Sequence, residues 1–323
     1  MEEFIVANNE TQIFKNSLES MKKVPEINSN KKAIPLLRIL ADEINFINSK
    51  VLKDDSTIVY IGETIPITSN EDHGKNLYIL SCLFPNMTFH FFDDFRFSDK
   101  IFPDLRNSEN VQIYERYPED DEIAFFSENQ NCYLICNYTD YDIRTEPSFA
   151  PNEQRSPSES VESIHRKKQE YFLFKEERNL ESLRICQDYL ERINARSSLI
   201  KFRLNRSNTE DFTFSDGILI LPIFADFKSG ICRIIVDFEN IQTKTQWDFA
   251  KKFLQINYWN GVIREKTALN PFTKTAEPMG KYRNRMEMCI FFSILSDYYK
   301  VIGYEFPSFE DVDGLFKNFI TKN

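Results

Sequence analysis

The chain has 323 residues, 41% hydrophobic, 28% charged and 14% aromatic, with 30 phenylalanines, 8 glycines and a formal net charge of −10. That length supports one large or two modest domains with a sizeable core, and the composition is that of an ordinary globular protein rather than a disordered or fibrous one. The acidic balance excludes a protein that draws nucleic acid through its overall field, so any such role must rest on local basic patches.

The opening stretch "MEEFIVANNETQIF" lacks the basic flank and apolar core of a secretory signal. No apolar run approaches the roughly 18 residues of a membrane span. The expectation is a soluble, intracellular protein with no membrane partner. Residues 1 to 30 are polar and weakly patterned and read as a flexible or loosely docked arm. From Ala33, "AIPLLRILADEINFINSK" spaces its apolar residues as a helix does, with Pro35 suited to a helix start.

Four apolar runs follow: "TIVYIG" ending at Gly62, "MTFHFFD" (87 to 93), "VQIYE" (111 to 115) and "NCYLICN" (131 to 137). They are apolar throughout rather than alternating, as in strands buried on both faces of a largely parallel sheet. Between them, "GKNLYILSCLF" (74 to 84) and "EDDEIAFFSEN" (119 to 129) can form helices. The alternation predicts a doubly wound α/β, Rossmann-like domain.

The stretch after Asn137, rich in Pro, Ser and acids, reads as an unusually long exposed loop over about 138 to 160, followed by a charged helix over about 160 to 195. "SLIKFRL" (198 to 204), "GILILPIFA" (217 to 225) and "ICRIIVDF" (231 to 238) complete the sheet. From about 243 to 323, beginning with "TQWDFAKKFLQINYWNGVIREK", the periodicity is helical. This predicts a cap packed on the sheet, making 31 to 323 a single domain.

The six cysteines are dispersed with no CxxC pair, and most lie in apolar segments, so buried reduced thiols are expected. The three histidines share no spacing, which argues against a metal site. Local cation clusters remain in "HRKKQEYFLFK" (165 to 175), with Lys167 and Lys168, in "RSSLIKFRLNR" (196 to 206), with Arg203 and Arg206, and in "KYRNR" (281 to 285), with Arg283 and Arg285. Cations mixed with aromatic side chains suit RNA, whose phosphates they attract and whose bases they stack. The same clusters also suit solvated helix faces and guarded edge strands.

In a doubly wound sheet, ligands collect at the carboxyl ends of the strands. A glycine there admits close approach of a ligand, and an acid ending the second strand accepts hydrogen bonds from ribose hydroxyls. Gly62, Gly74 and Asp93 fit that pattern. It is common to dinucleotide and S-adenosylmethionine sites.

The order of these segments, from about residue 33 to 320, resembles the poxvirus-type cap-specific mRNA 2′-O-methyltransferase, which doubles as the small, processivity-conferring subunit of poly(A) polymerase. "LLRILADEINFI" is similar to that family's first core helix. "VYIG" followed by "GKNLYIL" looks like its cofactor turn with about eight residues inserted, and "FHFFDDFR" like its ribose-binding strand end. The resemblance implies a methyltransferase sheet, S-adenosylmethionine as cofactor with Arg96 beside it, RNA and a poly(A) polymerase catalytic subunit or other capping protein as partners, and a viral or virus-like cytoplasmic setting.

It also implies a Lys-Asp-Lys-Glu tetrad whose second lysine is the general base. The corresponding positions here are Arg38, Asn137, Lys201 and Ile231, so the base alone is retained. At the cap-binding positions stand Arg206 and Asn208 where an aromatic is expected, and Ala250 where an acid is expected. Three readings follow. The first is a catalytically degraded RNA-binding subunit, the second an active 2′-O-methyltransferase with rearranged residues, and the third a nucleotide-binding α/β protein unrelated to RNA.

Overall fold

Strongly apolar runs of four or five residues separated by amphipathic segments can bury themselves only as inner strands with helices laid across both faces. The computed structural model, which describes residues 33–50, 55–62, 75–94, 105–138, 161–204, 212–220 and 230–258, has this arrangement.

In chain order, α1 (Ala33–Lys50) leads into β1 (Thr57–Ile61), α2 (Lys75–Leu83), β2 (Thr88–Phe92) and β3 (Val111–Tyr114). Then come α3 (Asp120–Ser127), β4 (Cys132–Cys136), α4 (Val161–Ile193) and β5 (Ser197–Arg203). The order continues with β6 (Phe212–Ser215), β7 (Ile218–Ile220), β8 (Ile231–Asp237), β9 (Lys244–Trp247) and α5 (Phe249–Tyr258).

Seven strands form one sheet in the order β3-β2-β1-β4-β5-β8-β7. The first five in sequence run parallel, while β8 runs antiparallel to both β5 and β7. This mostly parallel sheet with helices is compatible with a Rossmann-like fold, and the chain reverses direction across the sheet between β1 and β4.

The pairing register sorts residues onto two faces, because side chains alternate along every strand. Val59, Leu134, Ile200, Phe202, Cys232, Ile234 and Val236 point to the face covered by α4, where Leu183, Cys186, Leu190 and Ile193 are buried against them. The opposite face meets α1 and α2. On it, Tyr60, Phe91, Ile135, Leu199 and Ile235 are register partners across five strands.

At 33 residues α4 is roughly 50 Å long, about twice the span of β5. Asn179 Nδ2 donates to the Arg203 carbonyl at 2.8 Å, which sets that point of α4 level with the end of β5. The part of α4 before it continues beyond the carboxyl edge of the sheet.

One expectation needs correction. Thr245–Trp247, read as helical from "TQWDFAKKF", is strand: β9 pairs antiparallel with β6 as a separate two-stranded sheet. Trp247 packs against Phe202 at 5.3 Å, and burying that indole outweighs the helical spacing of its neighbours. Asp248 then starts α5, its Oδ1 accepting from the Lys251 amide at 2.9 Å.

Cys132, Cys136, Cys186 and Cys232 are buried free thiols, as expected, and Cys82 is exposed. Among the described residues no helix is long and apolar enough to cross a membrane. The N-terminal arm, the loop after Tyr138 and the helices expected beyond Tyr258 lie outside the described residues.

Candidate functional site

One step of two residues toward the strand ends from the Tyr60 row lies a second row on the same face: Asp93 after β2, Gly62 after β1, Asn137 after β4, Lys201 in β5 and Arg233 in β8. Four strand spacings of about 4.8 Å separate its ends, or about 19 Å. Four of these five positions are ones the sequence singled out. Arg233 is the addition, set directly opposite Lys201 in the antiparallel register.

At the acidic end, Asp93 is 4% exposed. Tyr117 donates to the Asp94 carboxylate at 3.1 Å, and its ring lies 5.0 Å from that of Tyr138. Burial, with Asp94 and Asp93 nearby, holds the Tyr117 phenol well above its ordinary range, so it stays a donor. A carboxylate beside two aromatic faces fits a nucleoside, with ribose hydroxyls donating to the acid and the base lying on a ring.

Gly62 has φ +88°, and a Cβ there would lie 2.6 Å from Tyr138 N and Cα. The glycine is therefore required by the crossing of the chain's own backbone, whatever else approaches it. Main-chain bonds from Gly62 N to Phe92 O (2.8 Å) and from Asn137 N to Ile61 O (2.7 Å) fasten the ends of β1, β2 and β4 together.

The middle of the row is held by a buried polar network that α1 brings down onto the sheet. Tyr60 Oη donates to Glu43 Oε1 at 2.7 Å, and Asn76 Nδ2 donates to Tyr60 Oη at 3.1 Å. Asn137 Nδ2 is within hydrogen-bonding distance of both Glu43 Oε1 (3.0 Å) and Tyr60 Oη, while Asn137 Oδ1 accepts from Arg233 Nη1. Arg233 Nε lies 3.8 Å from Asp42 Oδ2, and both side chains are 4% exposed.

Glu43 and Asn76 are fully buried. Burial raises the Glu43 carboxyl above its ordinary range, with the charge of Arg233 and the hydrogen bonds from Tyr60 and Asn137 opposing that rise. Burial and Glu43 together push the Tyr60 phenol far up.

Set against the tetrad implied by the resemblance, the charges have been redistributed. Asn137 stands where an aspartate is expected, and both ends of its amide are engaged by Glu43, Tyr60 and Arg233. Ile231 is 41% exposed and faces Arg203 across the strands, not Lys201. Arg38 lies in α1, and Asp42, one turn on, turns its carboxylate toward Arg233. In this chain Arg233 is on a strand, and the acids Asp42 and Glu43 are on α1.

Among the expected RNA contacts, Arg203 is exposed at the end of β5. Lys168 is exposed and Lys167 half-buried on α4, about 16 Å along the helix from the point level with Arg203. These two patches are therefore distinct. Gly74, Arg96, Arg206, Arg283 and Arg285 lie outside the described residues.

Asp42, Glu43, Tyr60, Asn76 and Arg233 were not singled out from the sequence. A signal was present: an arginine inside "ICRIIVDF", in a strand destined for burial, calls for a buried partner. The adjacent acids Asp42 and Glu43, set among the apolar positions of α1, are the complementary half. Neither a scan of protein-family models nor a search of the curated proteins found a match to this chain.

Proposed function

We propose that this chain is a methyltransferase-fold protein whose catalytic position has been absorbed into a structural network, acting as an RNA-binding regulatory or processivity subunit of a poly(A) polymerase. The observation that carries the first half is Asn137. Both ends of its carboxamide are bonded inside a buried cluster, and a neutral amide brings none of the charge with which the expected aspartate would orient a lysine amine. An antiparallel strand inserted beside the fifth parallel strand agrees with the methyltransferase sheet that the resemblance implies.

S-adenosylmethionine, if bound, would supply a transferable methyl group; Asp93 and the rings of Tyr117 and Tyr138 are the residues suited to its nucleoside part. RNA recognition would fall to the cationic half of the row, Lys201 and exposed Arg203, with Lys167 and Lys168 on α4.

The test is calorimetric titration of the purified chain with S-adenosylmethionine and with capped oligoribonucleotide, followed by a methyl-transfer assay. RNA retention with methyl transfer absent, or slower than typical enzyme turnover by orders of magnitude, is the expected result. Turnover near 1 per second, on the order of an ordinary enzyme, would sink the reading.

One observation favours the active-enzyme alternative. Arg233 sits directly opposite Lys201, and a neighbouring cation disfavours a lysine's charged form, the condition a lysine base needs. On that reading Lys201→Ala abolishes methyl transfer. Nucleoside binding without any RNA retention would instead favour a nucleotide-binding protein unrelated to RNA.

A further inference from the structure

An ionised Glu43 leaves buried acceptors around it without a hydrogen. Tyr60 has one hydroxyl proton, and its oxygen lies 2.7 Å from Glu43 Oε1 and 3.1 Å from the Asn76 amide. Asn137 cannot turn its amide round, because Arg233 fixes Oδ1. With Tyr60 donating to Glu43, Glu43 Oε2 and Asn76 Oδ1 are left as buried acceptors with no hydrogen-bond partner.

Turning the Asn76 amide round does not remove the deficit. Tyr60 would then donate to Asn76, and the short contact between Tyr60 Oη and Glu43 Oε1 would hold no proton at all. With the amide as placed, two buried acceptors lack a hydrogen; with it turned, the Tyr60–Glu43 contact lacks one. In both cases a proton on Glu43 supplies a missing hydrogen.

We propose that Glu43 is carried as a neutral carboxylic acid and acts as a proton-dependent clamp, donating to Asn76 or Tyr60 and thereby tying the start of α2 to Asn137 at the end of β4. Asn76 is the second residue of α2 and stands two positions after Gly74 in the sequence. The clamp therefore joins the end of the proposed cofactor turn to the former catalytic position, and as a control on that site it rests on the function proposed above.

The charged and titratable groups around Glu43 agree with a neutral acid. Asp42 beside it on α1 is the acid that Arg233 of β8 faces at 3.8 Å, Tyr60 on β1 is neutral, and Lys201 on β5 lies beyond Arg233. Among the described residues the buried guanidinium beside Glu43 also faces the Asp42 carboxylate, so an ionised Glu43 would have to share that cation with a second acid.

The experiment is infrared difference spectroscopy of the full chain near neutral pH. Expected is a protonated-carboxyl C=O band that disappears in Glu43→Gln and is displaced in Asn76→Ala, where the acid loses an immediate neighbour in its hydrogen-bond network. Identical carboxyl spectra for the wild type and Glu43→Gln would overturn the proposal and indicate an ionised acid bridged by buried water. A band unmoved by Asn76→Ala would overturn the clamp.

Thermal unfolding gives a second readout. A raised acid contributes stability that is full below its unfolded pKa and is lost as pH rises through its folded pKa. The wild type should therefore lose Tm relative to Glu43→Gln as pH rises above the ordinary carboxylate range, and parallel curves would count against the proposal. If Glu43→Gln does not fold, the Asn76→Ala displacement decides. Neither measurement uses RNA or cofactor, so failure of the functional reading leaves this test intact, and the reverse holds as well.

Discussion

At the scale of single residues, the decisive side chain is Arg233. An arginine 4% exposed in a central strand is sustained by Asp42 at 3.8 Å and by the Asn137 carbonyl. Removing one member of such a buried pair strands the other charge, which typically costs about 3–5 kcal/mol, whereas replacing both with apolar residues of similar volume is near neutral or stabilising. Arg233→Met is therefore expected to lower urea stability by about that amount, and Arg233→Met with Asp42→Leu to recover most of it. Equal losses in the single and double variants would mean that the pair is not coupled. Gly62 and Asp93 were legible in the sequence because each sits at a strand end, where an apolar run stops and a glycine or acid begins, whereas Asn137 and Lys201 were singled out only through the family resemblance. Arg233 and Glu43 were not, since each lies inside an apolar segment and its significance depends on a partner about 190 residues away in the chain for one pair, Asp42 with Arg233, and on tertiary neighbours for the other.

At the scale of elements, the core helices followed from hydrophobic periodicity and the core strands from unbroken apolar runs, and the failure at Thr245–Trp247 has a physical cause. A four-residue strand carries no periodicity of its own and takes its identity from its partner, Phe212–Ser215, which periodicity did not register either. The small sheet is held from inside by Trp247 on Phe202 and from α4 by Gln187, whose Oε1 accepts from the Ser215 amide at 2.9 Å. Trp247→Ala should destabilise by about 3–5 kcal/mol, as deletions of large buried aromatics do. Trp247→Phe should cost far less, because the indole Nε1 is buried without a hydrogen-bond partner and deleting it removes a penalty. Equal effects of the two in chemical denaturation would show that the ring contact is not what holds the sheet. Helix α3 carries a second expectation, of opposite sign to that at Glu43. Its first turn holds Glu122, which accepts two bonds from Arg116 at 2.7 and 2.9 Å and one from the Glu119 amide at 3.0 Å. The Arg116 hydrogen bonds, foremost, lower the Glu122 carboxyl, so its contribution is present above the unfolded carboxylate pKa and is lost as pH falls through the folded value. Glu122→Gln should flatten the acid side of the Tm profile, and loss of the cap should cost about 1 kcal/mol at neutral pH. An unchanged acid limb would assign the acid sensitivity to other carboxylates.

For the whole molecule, the net charge of −10 and the proposed RNA role are in tension, and the geometry of the row offers a resolution that can be measured. Acid groups gather at the β2 end, where Asp93 and Asp94 lie, and the cations that are not buried at the β5 end, where Lys201 and Arg203 lie, about 14 Å away, while Arg233 on β8 is buried against Asp42. This polarity was not readable from composition, since it depends on which strands the sheet places at its two sides. The antiparallel placement of β8 between β5 and β7 brings Arg233 opposite Lys201. RNA held by such a patch should be bound through few phosphates and steered away from the rest of the surface, so affinity should fall with salt at a shallow slope. For single strands each phosphate neutralised contributes about 0.7 to the slope of log K against log salt. Arg203→Ala should lower that slope by about 0.7 if Arg203 meets a phosphate, and Lys167→Ala with Lys168→Ala by up to about 1.4 if the strand runs on along α4. Fluorescence anisotropy with an unstructured oligoribonucleotide across a salt series reads both. A slope moved by Arg203 alone would confine the RNA to the carboxyl edge of the sheet. A slope moved by neither patch, with binding still present, would remove these residues from the interface and place recognition elsewhere on the chain.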